Sequence, residues 1–341
     1  NMFNSKVILI TGGTGSFGKN CAYYILKKFK PRKVIIFSRD ELKQYEMSNE
    51  LKDQGIKDEN VRFFIGDVRD EERLNLAFKD VDFVIHAAAL KQIPAAEYNP
   101  QECIKTNING ANNVIFAALQ QGVKKVIALS TDKACSPVNL YGATKLVSDK
   151  LFVSANTLGG KKEDTKFSVV RYGNVIDSRG SVIPLFKKLY NQKKKSLPIT
   201  DENMTRFFID INSGIEFVLK SFERMYGGEI FVPKLPSLYI KDIVKALDKN
   251  LKFHIVGIRP GEKLHEALCI KDESHLTIEF KDHYVIEPTI WEENVNVKTY
   301  LKNKLGETGK KVKSDFEYNS FTNKNKLNAE TIRELLKKIS H

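Results

Sequence analysis

No apolar run in this chain approaches the roughly 20 residues that a helix needs to cross a bilayer, and only a few polar residues precede the first strand pattern. A soluble, cytoplasmic protein is therefore expected. Cysteine is scarce as well. Cys21, Cys103, Cys135 and Cys269 are too widely spaced for a C-x-x-C pair and have no histidine at metal-ligand spacing, so no metal site is expected and a reducing compartment fits best. Acidic residues are outnumbered: 42 Asp and Glu against 55 Lys and Arg leave a net charge of +13. Such a balance suits nucleic acid, an anionic membrane or an anionic small substrate. The excess lies in scattered groups such as Lys27-Lys28 and Lys193-Lys194-Lys195 without interleaved aromatics. They read as solvated faces, with neither nucleic acid nor membrane as a partner.

At 341 residues, 42% of them hydrophobic, the chain can bury a sizeable core as one large or two modest domains. Its first half alternates strand and helix patterns. Lys6 to Thr11 is a buried-strand run, followed at once by Gly12-Gly13-Thr14-Gly15-Ser16-Phe17-Gly18 and a helical pattern carrying Phe17, Cys21, Ile25 and Phe29. Glycines at 12, 15 and 18 let the backbone turn tightly and approach a pyrophosphate, whose charge meets the free N–H groups and dipole at the helix start. The spacing differs from G-x-G-x-x-G, but its place between a strand and a helix points to a dinucleotide.

The second strand pattern, Lys33 to Phe37, ends in Ser38-Arg39-Asp40. An NAD enzyme usually places an acid there for the ribose diol. Arg39 suits a 2′-phosphate instead, with Ser38 and Lys43 as helpers, and favours NADP, while Asp40 keeps NAD open. Past the strand Val61 to Ile65, Asp67 is placed to accept from an adenine amino group. The fourth strand, Val81 to Ile85, leads into His86-Ala87-Ala88-Ala89. These alanines either leave room for a flat ring or simply pack tightly, and His86 reads as structural. Asn99-Pro100 reads as the N-cap and N1 of one helix with Ile104, Ile108, Ala111, Ile115 and Ala118 on its apolar face.

The fifth strand pattern, Lys125 to Leu129, delivers Ser130-Thr131-Asp132-Lys133 and then Tyr141-Gly142-Ala143-Thr144-Lys145 to the carboxyl edge of the sheet. Ligands bind at such edges. If Leu140 onward is helical, Tyr141 and Lys145 share a face, and an ammonium beside the phenol lowers its pKa from about 10. By itself Y-x-x-x-K is equally a surface tyrosine and a solvated lysine. Beside a dinucleotide loop it reads as a proton-transfer pair. Strands alternating with helices to this point give an α/β fold, a Rossmann-type doubly wound parallel sheet.

Thr11 to Gly18, Ser38 to Gln44, Gly66 to Asp70, His86 to Lys91, Ser130 to Ala134, Asn139 to Lys145, Arg171 to Val175, Met204 to Phe207 and Arg259 to Glu266 carry a family resemblance. Together they resemble the extended short-chain dehydrogenase/reductase family and, within it, the inverting UDP-N-acetylglucosamine 4,6-dehydratases, over roughly residues 5 to 290. The loop Thr157 to Thr165 and Asp177 depart from the family pattern. The resemblance implies an NADP-binding domain over 1–175, rejoined by about 205–235, and a smaller, interleaved C-terminal substrate-binding domain over 176–290. It also implies a homo-oligomer, a hexamer. NADP, tightly bound and recycled, would be contacted by Gly12, Thr14, Gly15, Ser16, Phe17, Gly18, Ser38, Arg39, Asp40, Lys43, Asp67, Val68, Ala87, Ala88, Lys91, Leu129 and Ser130, with Tyr141 and Lys145 at its reactive end. UDP-N-acetylglucosamine would meet Lys91, Asn174, Thr200, Arg206, Arg259 and Glu262.

In the chemistry so implied, Tyr141 takes the proton of the sugar O4, Lys133 removes the C5 proton and Asp132 protonates the departing 6-hydroxyl, with Thr131 beside them. A neutral Lys133 amine and a protonated Asp132 each cost about 4 to 5 kcal/mol at pH 7 from their free values. Water exclusion is the expected means of tuning, and an ion pair between the two opposes both roles. Asp-Glu at this place would mark a retaining dehydratase and small hydroxyl residues a 4-epimerase, so Lys133 points to inversion. An NADP-sensing binding protein on the same fold would be expected to lack the Tyr/Lys pair.

Beyond the strand Phe167 to Tyr172 the alternation breaks. Leu197 to Thr200 and Met204 to Phe208 read as irregular extended pieces, Ile240 to Leu247 as a helix with Ser237 as its cap, and His254 to Ile258 as a strand. His265 and His275 read as structural or solvated. A polar tail over 291–341 ends in an amphipathic helix with Ile332, Leu335, Leu336 and Ile339, capped by Asn328.

Overall fold

The five residues Val7–Thr11 are all buried, and this apolar run forms β1, the centre of the fold. Around it the first half alternates as α1 (Ser16–Lys28), β2 (Lys33–Ser38), α2 (Glu41–Asp53), β3 (Val61–Ile65), α3 (Glu71–Ala77) and β4 (Phe83–His86). It continues through α4 (Ile93–Tyr98), α5 (Pro100–Ile104), α6 (Gly110–Gln120), β5 (Lys125–Thr131), α7 (Leu140–Ser154) and β6 (Lys166–Tyr172). The second half adds β7 (Asn174–Val175), α8 (Val182–Asn191), β8 (Ser196–Ile199), β9 (Thr205–Ile209), α9 (Ile211–Arg224), β10 (Ile230–Pro233), β11 (Ser237–Tyr239) and α10 (Ile240–Leu247). Last come β12 (Lys252–Ile255), β13 (Ala267–Cys269), β14 (Thr277–Glu279), β15 (His283–Ile286), β16 (Lys310–Lys311), β17 (Tyr318–Asn319) and α11 (Ala329–Ile339). This computed structural model describes residues 2–158, 165–176, 181–290 and 299–339. Asp177 and most of the loop 157–165 lie outside the described residues.

The main sheet has the order β16-β14-β15-β10-β6-β5-β4-β1-β2-β3. From β10 to β3 every pairing is parallel. The order reverses between β4 and β1, and ligands of doubly wound sheets bind at that switch point. The strands β14, β15 and β16 extend it with antiparallel pairings. Residues 277–286, expected in the substrate domain, therefore belong to the large sheet. A second hydrophobic core gathers Ile183, Phe186, Leu197, Phe208, Ile243 and Val244 beside the parallel pair β8/β12 and the small sheet β11-β9-β7.

Four local expectations change. Leu197 to Thr200 and Met204 to Phe208 contain regular strands, β8 and β9, because each finds a partner strand in the second lobe. Ser237 pairs with Phe207 inside β11, so Tyr239 and not Ser237 stands ahead of α10. The register Lys252↔Ser196 to Ile255↔Ile199 ends β12 where β8 ends, short of Ile258. Asn99 does precede Pro100 at a helix start, but its side chain donates back to the Ala95 carbonyl at 3.0 Å, and the expected single helix is split by a π turn, Lys105–Asn109. The tail helix α11 is capped as expected: Thr331 N donates to Asn328 Oδ1 at 2.9 Å, and Ile332 and Leu336 are buried in the second core.

Candidate active site

A cleft of about 1190 Å³ runs along the carboxyl edge of the parallel strands, from the glycine loop to the segment Arg259–Glu262. Every residue assigned from sequence to cofactor or substrate lines it, as do Thr131, Lys133, Tyr141 and Lys145. Asp132 does not. It is wholly buried behind Lys133.

The dinucleotide half is shaped by close backbone approach. Gly12 has φ +63°, and a Cβ there would lie 2.9 Å from Ala88 N; one on Gly18 would lie 2.5 Å from Gly12 O. The alanines after β4 thus pack directly on the glycine loop, with Ala87 N and Ala88 N donating to Thr11 Oγ1 at 3.1 and 3.2 Å. The first turn of α1 faces the cleft and, among the described residues, has no side-chain cap. Its free N–H groups fit a pyrophosphate. His86 is structural, as expected: its Nδ1 is 2.7 Å from Thr11 Oγ1, and burial pushes its pKa down to about 3.

At the far end of β2, Asp40 turns to its own helix, accepting from Lys43 N at 3.0 Å and pairing with Lys43 Nζ at 3.2 Å. Arg39 is more than half exposed, 3.9 Å from Asp67. Asp67, expected to receive an adenine amino group, is occupied by Arg69 at 2.8 and 3.0 Å. Ser38 accepts from Gln44 Nε2 at 3.0 Å.

The chemical half departs from expectation. Lys133 Nζ lies 2.8 Å from Asp132 Oδ1, 3.2 Å from Asn174 Oδ1 and 3.4 Å from Glu266 Oε1. Burial works against its ammonium, but Asp132 and Glu266 outweigh burial, so its proton affinity is raised where water exclusion was expected to lower it. Burial pushes the Tyr141 phenol up to about 12, and Lys133 and the Thr131 hydroxyl, rather than Lys145, pull the other way. Lys145 instead donates to the Leu129 carbonyl at 2.8 Å; burial lowers its pKa and Asp149 opposes that. Gly142 lets α7 press against this turn, since a Cβ there would run into the Lys133 carbonyl oxygen.

In the substrate half, Glu262 accepts from Thr200 Oγ1 at 3.4 Å and from Arg259 N at 3.2 Å. Arg206 lines the cleft, but its guanidinium donates to the carbonyls of Thr205, Leu264 and Lys263 at 2.7–3.1 Å, a framework role where a substrate contact was expected. His265 is 2.7 Å from Thr205 Oγ1 and stacks on Phe321.

The sequence over residues 8–288 matches the family described as Polysaccharide biosynthesis protein. The chain belongs to this family. Among its relatives, a UDP-N-acetylglucosamine 4,6-dehydratase (inverting) from Campylobacter jejuni subsp. jejuni serotype O:23/36 is 60% identical, over 94% of either chain. A UDP-glucose 4-epimerase from Rickettsia bellii is 43% identical over 98% of this chain and 96% of its own. The crystal structure of Pen from Bacillus thuringiensis superposes with a TM-score of 0.86 at 35% identity, covering 100% of this chain and 99% of that one. The fold is thus the α/β, Rossmann-type sheet expected. Within this family setting, Glu266 is a charged site residue that sequence reading missed. It closes the stretch Arg259 to Glu266, and nothing in its spacing says that it folds back onto Lys133.

Proposed function

We propose that this protein is a UDP-N-acetylglucosamine 4,6-dehydratase that inverts C5 and gives UDP-2-acetamido-2,6-dideoxy-β-L-arabino-hex-4-ulose. The observation that carries the reading is Lys133 facing the cleft beside Tyr141, in a chain 60% identical to a relative of that name. The glycine loop Gly12–Gly18 and Arg39 would hold NADP, which would supply hydride transfer between C4 and C6 of the sugar. Arg39, exposed at the end of β2 while Asp40 is committed to its helix, supports NADP over NAD.

Tyr141, as phenolate, takes the proton of O4 as C4 becomes a ketone, and this proton balances the one that C5 regains from the opposite face. Lys133 takes the C5 proton. Asp132, first assigned to the departing 6-hydroxyl, does not reach the cleft, so that proton also comes from Lys133, with Asp132 as its proton partner behind it. The ammonium gives one proton and regains one, so no net proton is consumed. Arg259, Glu262, Thr200, Asn174 and Lys91 receive the nucleotide sugar. The resemblance read from the sequence supports a cytoplasmic homo-oligomer acting at the first step of pseudaminic acid biosynthesis for a flagellin or surface glycan. Two hydrophobic cores support a division into a cofactor domain and a substrate domain, with Ile278 to Ile286 on the cofactor side and Ile332 and Leu336 of the tail on the substrate side.

The test is incubation with UDP-N-acetylglucosamine in D₂O, read by proton NMR. An L-arabino 4-keto-6-deoxy product carrying deuterium at C5 is expected. A D-xylo product would mean retention. A 4-epimer would favour the activity for which the Rickettsia relative is named. No turnover with added NADP⁺ would favour a cofactor-sensing protein.

A further inference from the structure

Three oxygens surround the Lys133 ammonium, and only two of them, on Asp132 and Asn174, belong to residues singled out from sequence. The third is Glu266 Oε1 at 3.4 Å. Glu266 is 3% exposed and is among the residues that line the cleft, while its buried Oε2 has no hydrogen-bond partner among the described residues. Its neighbours are two further cations. Arg206 Nε is 3.9 Å from Oε1, and Lys263 Nζ is 3.9 Å from Oε2. Both spend their closer bonds on backbone carbonyls, Lys263 on Cys135 at 2.5 Å. Lys133 is therefore the ammonium closest to this carboxylate.

The backbone of Glu266 is pinned by the C-terminal tail. Glu266 N donates to Ser320 Oγ at 2.9 Å, and Ser320 N donates to Glu266 O at 2.8 Å. Ser320 is wholly buried, and its hydroxyl is also 2.7 Å from Thr205 Oγ1.

We propose that Glu266 is a positioning residue for Lys133: with Asp132 and Asn174 it fixes the amine in the cleft and sets the pH at which the amine loses its proton, and the tail holds Glu266 in place through Ser320. The proposal rests on the reading of Lys133 as the C5 base. The charged and titratable groups around Lys133 are Asp132 on its own turn, Tyr141 on α7, Arg206 on β9, and Glu266 with Lys263 and His265 ahead of β13. Of these, Asp132 and Glu266 favour the ammonium and Arg206 opposes it. Removing the Glu266 charge must then release the proton at lower pH.

The experiment labels the ligand-free protein with acetic anhydride across a pH series and reads Lys133 acetylation by peptide mass spectrometry. In Glu266→Gln the pH of half-labelling is expected to fall by about one unit, the low end for a lost opposite charge at this distance, giving about tenfold more labelling on the acid side of the midpoint. Ser320→Ala, which keeps the carboxylate but loosens it, should shift the midpoint the same way by less. Half-labelling at the native pH in a folded Glu266→Gln overturns the proposal. If that variant does not fold, an unmoved midpoint in Ser320→Ala overturns it. Failure of the native protein to turn over UDP-N-acetylglucosamine sinks the dehydratase reading and leaves the labelling comparison intact. Where turnover is seen, the kcat/KM limb that reports the free amine should move down with the labelling midpoint, which loss of packing alone would not produce.

Discussion

Lys133 donates to Asp132 and Asn174 and is ion-paired with Glu266, so it faces the cleft as an acid and becomes a base only after its proton has moved. Tyr141 is held back in the same way, since its buried phenol keeps its proton up to about 12. Lys133 thus stands ready to give its proton, whereas Tyr141 must lose its own before it can take that of O4. Tyr141→Phe removes one proton-transfer atom and little volume. It should lower kcat by about 10²–10⁴-fold and leave the affinity for UDP, by calorimetry, at the native value; an equal loss of UDP binding would mean that Tyr141 shapes the pocket. The residues themselves were legible in the sequence because Thr131, Lys133, Tyr141 and Lys145 follow one strand and one turn. Their pairing was not. Whether adjacent Asp132 and Lys133 both reach the cleft depends on the backbone turn between them, and that turn buries Asp132.

At the scale of elements, the strand, glycine loop and helix of β1–α1 were legible because a buried apolar run and three spaced glycines leave one arrangement. The π turn was not, because Ile104, Ile108, Ala111 and Ile115 keep helical spacing straight through it. Its purpose is visible in Asn107, which accepts from Leu90 N at 2.8 Å and donates to Leu90 O at 2.9 Å and to Thr144 Oγ1 at 3.0 Å. One side chain thereby substitutes for a strand partner at the segment leading to Lys91, and it ties that segment to α7. Such π turns are rare and frequently mark functional sites. Asn107→Ala leaves both backbone groups of Leu90 without that partner and should cost about 1–3 kcal/mol by urea unfolding. It should also weaken UDP binding, measured by calorimetry, because Lys91 loses its anchor. Unchanged stability would show that the π turn holds its shape without Asn107.

On the scale of the molecule, the tail is the element whose role sequence patterns could not give, because its strands β16 and β17 are two residues each and carry no periodicity. Described residues of the tail nevertheless reach both cores. The strand β16 extends the large sheet, β17 pairs with β13 beside Glu266, and α11 closes the second core. Where the tail crosses α9, Glu307 bonds the wholly buried Arg224 at 2.7 Å, and Asp282 bonds it at 2.8 Å. Partial burial pushes the Glu307 carboxyl up, but hydrogen bonds from Arg224, Asn303 and Lys220 outweigh this and bring it down to about 2. The His283 hydrogen bond, followed by Arg224, holds Asp282 well below the usual carboxylate range. A carboxyl depressed on folding stabilises the native state fully above its unfolded value and loses that stabilisation as pH falls through the folded one. For Glu307 the window runs from about 4.5 down to about 2. Urea unfolding should therefore show stability falling as pH is lowered through that window, and hydrogen exchange should show the tail amides opening before those of the large sheet. Glu307→Gln should lower stability at pH 7 by about 1–3 kcal/mol, since a buried guanidinium loses a charged acceptor. It should also flatten the acid dependence, because the titrating group is gone. A native-like slope in that variant would assign the acid sensitivity to Asp282, and equal stability at pH 7 would show that the tail is held by α11 and β17 instead.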